Sequence, residues 1–111
     1  MWLLDVNLPN GVIGILKGFG IDCDTTVARG WRDLGNVALA SVASKSGFKA
    51  VLTRDRLFGE SAAKALHSFP ELSIVIIRIS QSKQSAYVKE FEVAWQARPI
   101  KPIAGMVVEW P

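Results

Sequence analysis

The chain has 111 residues, 50% apolar and 21% charged, with a net charge of +3 and a pI of about 9.3. This balance excludes a disordered chain and suits one compact domain over residues 1–111. Mild basicity permits a nucleic-acid partner without demanding one, and no apolar run reaches the ~20 residues that span a bilayer, so a cytoplasmic location and no membrane partner are expected.

A first strand is expected over residues 2–6, with its apolar run ending at Asp5. Leu8-Pro9-Asn10 is a turn, with Asn10 as N-cap of a helix whose Val12, Ile13, Leu16 and Phe19 recur at helical spacing before Gly18 and Gly20 stop it. Residues 21–28 read as a second strand, favoured by Thr25, Thr26 and Val27. Within it Cys23, the only cysteine, lies between Asp22 and Asp24, whose charges raise a thiol pKa, so a part-buried strand thiol is expected there and not a nucleophile. The loop Gly30–Gly35 precedes a helix capped by Asn36 and running to about Ser46, with Leu39, Val42 and Ala43 inward.

Residues 50–54 form a third strand and residues 60–68 a third helix, with Ala62, Ala63 and Leu66 on one face. Ser73–Ile79 is the most apolar strand, expected inside the sheet with both faces covered. Residues 83–97 form a fourth helix with a Tyr87, Val88, Phe91, Ala94, Trp95 stripe, read as core and not as a cofactor box. Residues 98–102 are an extended connector, and 106–110 a last strand at an edge. Strand–helix alternation predicts an α/β fold of three layers, with a mainly parallel sheet of four or five strands, helices on both faces and right-handed crossovers.

Two apolar runs end in an acid: Trp2-Leu3-Leu4-Asp5 and Ala50-Val51-Leu52-Thr53-Arg54-Asp55. In open parallel sheets, ligands bind at strand carboxyl ends where the strand order reverses. If the first strand lies between the second and third, the reversal falls between the strands that carry Asp5 and Asp55. Loops meeting there also bring Asn7, Asn36, Thr53 and Glu60. Paired carboxylates with no histidine or thiolate beside them suit Mg²⁺ or Mn²⁺, with water and phosphate completing the shell. That layout serves phosphodiester hydrolysis by metal-activated water. The competing reading makes Asp5 and Asp55 helix N-caps. Arg29, Arg32, Arg54 and Arg56 flank the mouth and match phosphate oxygens, although Arg54 and Arg56 can instead neutralise Asp55. Trp31 either stacks on a base or caps the core. His67, the lone histidine, has no ligand spacing around it.

Three segments in this order, Leu3-Leu4-Asp5-Val6-Asn7-Leu8-Pro9, Gly30-Trp31-Arg32-Asp33-Leu34-Gly35-Asn36 and Leu52-Thr53-Arg54-Asp55 with Phe58, resemble small PIN-like domains of ribonuclease and toxin type. The resemblance covers about the first two-thirds of the chain. It implies a PIN-like fold and an acidic Mg²⁺-type site that cleaves single-stranded RNA, with Asp5 and Asp55 as metal ligands. An antitoxin protein and a homodimer are the partners it suggests. The chain departs from the pattern at Val6, where relatives commonly carry Glu, and at Asn36 or Ala38, where they carry an acid. Asn36 can coordinate through its amide oxygen, and Glu60 or Asp33 can supply a replacement carboxylate. With fewer acids the metal is expected to bind weakly. The expectation is therefore a Mg²⁺- or Mn²⁺-dependent ribonuclease with Asp5, Asp55, Asn36 and Glu60 in its site and Asn7, Thr53 and Asp33 in support. The alternative is a decayed module that binds RNA or a protein without cleaving. A phosphoreceiver-like reading, with Asp55 as phosphoacceptor and Lys101 as its lysine, lacks the acidic doublet at Asp5-Val6.

Overall fold

The structure is a computed structural model that describes residues 1–80 and 83–111; within them the side chains of Glu60 and Ala62 are not among those described. Its strands are β1 (Trp2–Leu4), β2 (Cys23–Thr25), β3 (Ala50–Thr53), β4 (Ser73–Ile77) and β5 (Val107–Trp110), and its helices are α1 (Gly11–Gly18), α2 (Asn36–Lys45), α3 (Arg56–Ala65) and α4 (Gln84–Ala97). One all-parallel sheet runs in the order β2-β1-β3-β4-β5. β1 thus lies between β2 and β3, and the reversal of strand order falls between β1 and β3. Among the described residues, no helix is long and apolar enough to cross a membrane.

Side chains alternate across the pleat, so each strand feeds two cores. Leu4, Ala50, Leu52, Val75 and Ile77 point to one face and pack with Val12 and Leu16 of α1 and Tyr87, Phe91 and Trp95 of α4. Leu3, Val51, Ile74 and Ile76 point to the other and pack with Leu39, Ala40 and Ala43 of α2 and Phe58 of α3. β4 is buried along its whole length, as its apolar run requires, and β5 is an edge strand.

The connections do not all share one hand. The first moves leftward from β1 to β2 under α1; the next two move rightward under α2 and α3 on the opposite face. The last also moves rightward, from β4 to β5, but α4 lies on the face of α1. Its hand is therefore opposite to that of the other three, so a uniform right-handed winding is corrected. Residues 98–106 supply the slack for this return, and the aromatic stripe of α4 supplies the apolar surface that face needs.

Several boundaries also differ from expectation. β2 ends at Thr25 because the Thr25 hydroxyl accepts the Ala28 N–H at 3.0 Å, turning the chain despite the β-favouring Thr26 and Val27. α3 begins four residues early, at Arg56, because Asp55 caps it: Oδ1 accepts the Leu57 N–H at 2.9 Å. Ala63 of α3 is exposed, whereas Leu66, just past the helix, is buried. Gly35, not Asn36, holds the N-cap position of α2, and Asn10 holds that of α1 without a side-chain cap bond. Cys23 is buried with its pKa raised; burial is the largest cause, Lys17 opposes it, and Asp24 and Asp22 add smaller upward pushes.

α1 and α4 approach closely at Gly11, where an added Cβ would meet Val88 Cγ2 at 2.5 Å. Gly11→Ala should lower stability by about 1–3 kcal/mol, the scale of overpacking. The cost should shrink when Val88 is also cut to Ala, as read by urea denaturation of the two single variants and the double.

Candidate carboxylate site at the ends of two adjacent strands

The parallel register pairs Leu3 with Val51 and Leu4 with Leu52, and the Asp5 N–H continues the ladder by donating to the Leu52 carbonyl at 2.9 Å. The next pair in that register is Asp5 with Thr53, both on the α2/α3 face. Asp55 lies two residues beyond Thr53, at the start of α3. The two acids thus sit at the carboxyl ends of neighbouring strands, with Thr53 between them.

The Thr53 hydroxyl is the hub. It donates to Asp5 Oδ2 at 2.8 Å and accepts from Asn7 Nδ2 at 3.2 Å and from the Asp55 backbone N–H at 3.1 Å. One donor and two acceptor positions are all a hydroxyl has, so this fully buried group is saturated. Asn7 closes the ring: its Oδ1 accepts the Arg54 N–H at 3.1 Å and its backbone carbonyl accepts Arg54 Nη1 at 3.2 Å. Asp5 Oδ1 accepts the Val6 N–H at 2.8 Å. Asp5, Asn7, Arg54 and Asp55 are all half-buried.

Among the described residues, Asp55 forms no ion pair with Arg54 or Arg56. The Arg54 guanidinium lies instead over the ring of Tyr87, 5.4 Å from its centroid. That removes the salt-bridge reading of Asp55. Tyr87 is a residue that helical periodicity assigns only to the core, and it is indeed fully buried there. Its hydroxyl has no partner among the described residues. The one available signal in the sequence was a phenol inside an otherwise apolar stripe.

The other predicted site residues share no hydrogen bond with this ring among the described residues. Arg29 pairs with Asp24 at 2.6 Å and stacks over Phe48 and Trp31, at 4.9 and 5.7 Å from the ring centroids. The hydrogen bond from Arg29, then that from the Thr25 N–H, hold the Asp24 carboxyl below its usual range. Trp31 is half-buried and edge-on to Phe48 at 6.0 Å. Arg32, Asp33 and Arg56 are exposed. Asn36 opens α2 and makes no hydrogen bond to the ring among the described residues. Glu60 falls in α3, with its side chain outside those described. Lys101 lies in the connector before β5 and lines a groove with Val108, Glu109 and Trp110 of that edge strand, and it forms no ion pair with Asp55 among the described residues.

Among the described residues, no three His, Cys, Asp or Glu side chains converge as metal ligands. Asp5 and Asp55 are two carboxylates that could each contribute oxygen ligands to a cation. Each ionised carboxylate offers about four lone-pair positions, so both keep acceptor capacity beyond the bonds described. This set suits a hard cation that retains much of its water, and not a closed protein cage.

Thr53→Val removes the hub without changing side-chain size and takes a hydrogen bond from each of its half-buried partners. Stability should fall by about 2–3 kcal/mol, and Thr53→Ser should recover most of it, as measured by urea denaturation. Burial pushes the Tyr87 phenol up to about 12, against the smaller opposing pull of Arg54. Since Tyr87 is the only tyrosine, ultraviolet titration should show no phenolate signal near pH 10 while the fold persists. The folded state holds this proton when the unfolded state has released it, so stability should fall as pH rises from about 10 towards 12.

Comparison with family models, curated proteins and solved structures returns no match.

Proposed function

We propose that the chain is a PIN-like, metal-dependent ribonuclease acting on single-stranded RNA, with a partly depleted acidic site. The observation that carries this reading is the placement of Asp5 and Asp55 at the carboxyl ends of adjacent β1 and β3, at the reversal of strand order, with the Thr53 hydroxyl between them. Carboxylates at such a switch point are where parallel α/β sheets assemble ligand sites. Asp5 and Asp55 would hold Mg²⁺ or Mn²⁺, which when bound supplies Lewis-acid polarisation of a phosphate ester and a more acidic water. Thr53 orients the Asp5 carboxylate. Arg54, held off Asp55, presents its guanidinium to phosphate oxygens. Arg32 and Arg56, both exposed, extend the cationic surface along an RNA backbone. Asn36 and Glu60 remain candidate auxiliary ligands and Asp33 a supporting acid. An antitoxin-type protein covering this mouth, and a homodimer, belong to the same proposal.

A second reading is favoured by Val6 and Ala38, which stand where PIN-like domains commonly carry acids: a module of the same fold that binds RNA or a protein partner without cleaving it. Manganese separates the two. A working site should raise Tm by several degrees at tenfold excess over Kd, where binding contributes about 1.4 kcal/mol; the binding module should show no shift. With Mn²⁺ present the ribonuclease should cleave single-stranded RNA, and Asp5→Asn or Asp55→Asn should each lower the rate at least ~100-fold. Asn is as good an N-cap as Asp, so Asp55→Asn should keep its Tm and the loss of rate would not reflect unfolding. Cleavage that survives both substitutions would sink the assignment.

A further inference from the structure

Arg54 carries a charge that an adjacent acid would ordinarily take. It precedes Asp55 in the chain, yet among the described residues it pairs with no carboxylate. Two other contacts hold it. Its Nη1 donates to the Asn7 carbonyl at 3.2 Å, and its guanidinium carbon lies 5.4 Å from the Tyr87 ring centroid. The alternation that sends Ala50 and Leu52 towards α4 sends Arg54 the same way. Tyr87 is fully buried, and its hydroxyl has no partner among the described residues. The electron-rich face of a buried ring attracts a guanidinium most strongly where water is excluded.

We infer that Tyr87 is a positioning residue of the carboxylate site: its ring holds the Arg54 guanidinium beside Asn7, off Asp55 and available to a phosphate of single-stranded RNA. The inference rests on the RNA reading above and deepens it by assigning a residue that neither the motif segments nor the strand ends include. A long arginine side chain loses rotamer freedom when it grips a phosphate, and a ring that already fixes its plane removes part of that loss before the ligand arrives. Without the ring, Arg54 is free to turn towards Asp55. Cation and carboxylate would then neutralise each other, and both would be lost to the ligand.

The test is a double-mutant cycle on RNA affinity, read by fluorescence anisotropy of a labelled single-stranded oligonucleotide in EDTA, so that neither metal nor cleavage enters. Arg54→Ala should weaken binding about tenfold and flatten the log K against log salt slope by about 0.7, the effect of one phosphate contact on single-stranded nucleic acid. Tyr87→Leu should reproduce most of both changes. The Tyr87→Leu/Arg54→Ala double variant should bind no more weakly than Arg54→Ala alone. Tyr87→Phe, which keeps the ring, should recover the affinity and slope that Tyr87→Leu loses. If Arg54→Ala has its effect but Tyr87→Leu does not, or the two losses add, Tyr87 is core and nothing more. If Arg54→Ala binds RNA as tightly as the unsubstituted chain, the assignment of Arg54 to phosphate fails first. Should Tyr87→Leu not fold, proton NMR of the unsubstituted protein decides. Arg54 δ-methylene signals displaced upfield by the ring support the contact, and random-coil shifts overturn it.

Discussion

A parallel sheet has two apolar faces and must cover both. Here five strands are spaced ~4.8 Å apart, so each face is roughly 19 Å wide, with four helices to share between the two. A helix is about 10 Å across with its side chains, so α1 covers only about half of that width. If all four connections kept one hand, α2, α3 and α4 would crowd one side. The inner halves of β3, β4 and β5 would then be bare on the other. Placing α4 beside α1 closes that gap, with Tyr87, Phe91 and Trp95 packed over Leu52, Val75 and Ile77. The ordinary preference for right-handed crossovers yields to the larger cost of leaving that surface in water.

This placement determines what surrounds the carboxyl ends of β1 and β3. On the α2/α3 side the register sets Asp5 beside Thr53. On the α1/α4 side, Arg54 emerges into the space that α4 occupies and meets Tyr87. The candidate site therefore straddles the end of the sheet, with its acids on one side and its cation on the other. Asn7 joins them, reaching Thr53 through its amide nitrogen and Arg54 through its two oxygens. Had α4 followed the common hand, Arg54 would have no ring to lie on. Its nearest opposite charge would then be its neighbour, Asp55.

The fold class and the position of the acids were legible because both rest on local patterns. Short branched apolar runs mark strands, and an acid at the end of such a run lies at a carboxyl end whatever the tertiary structure. The misjudged features rest on side chains that bond the backbone or cross between elements. Thr25 ends β2 by accepting the Ala28 N–H, in competition with the β preference of Thr26 and Val27. Asp55 starts α3 by accepting the Leu57 N–H, so one residue serves a cap and a candidate site together. Arg29 pairs with Asp24 through a contact that no spacing encodes, whereas Trp31 packs against Phe48 as the core-capping reading has it. Tyr87 was read correctly as core. Its second role depends on which face α4 takes, and that is decided by the coverage of the whole sheet.

Two carboxylates near one another need something to offset their repulsion, and a cation is the usual agent. Here hydrogen bonds from the protein already supply part of that offset. Asp5 receives the Thr53 hydroxyl and the Val6 N–H, and Asp55 receives the Leu57 N–H. These bonds orient both acids and leave further lone pairs on each carboxylate. A carboxylate with one or two donors still has lone pairs to give, and these acids are not consumed by Arg54. A cation entering between them would meet ligands already oriented by Thr53, with little to rearrange. Its affinity would then be limited by the number of charges, not by disorder of the site. A two-acid site of this kind holds a cation weakly alone and more firmly once a phosphate brings further negative oxygens. If the site takes metal and phosphate as proposed, each would strengthen the binding of the other through the charge it brings.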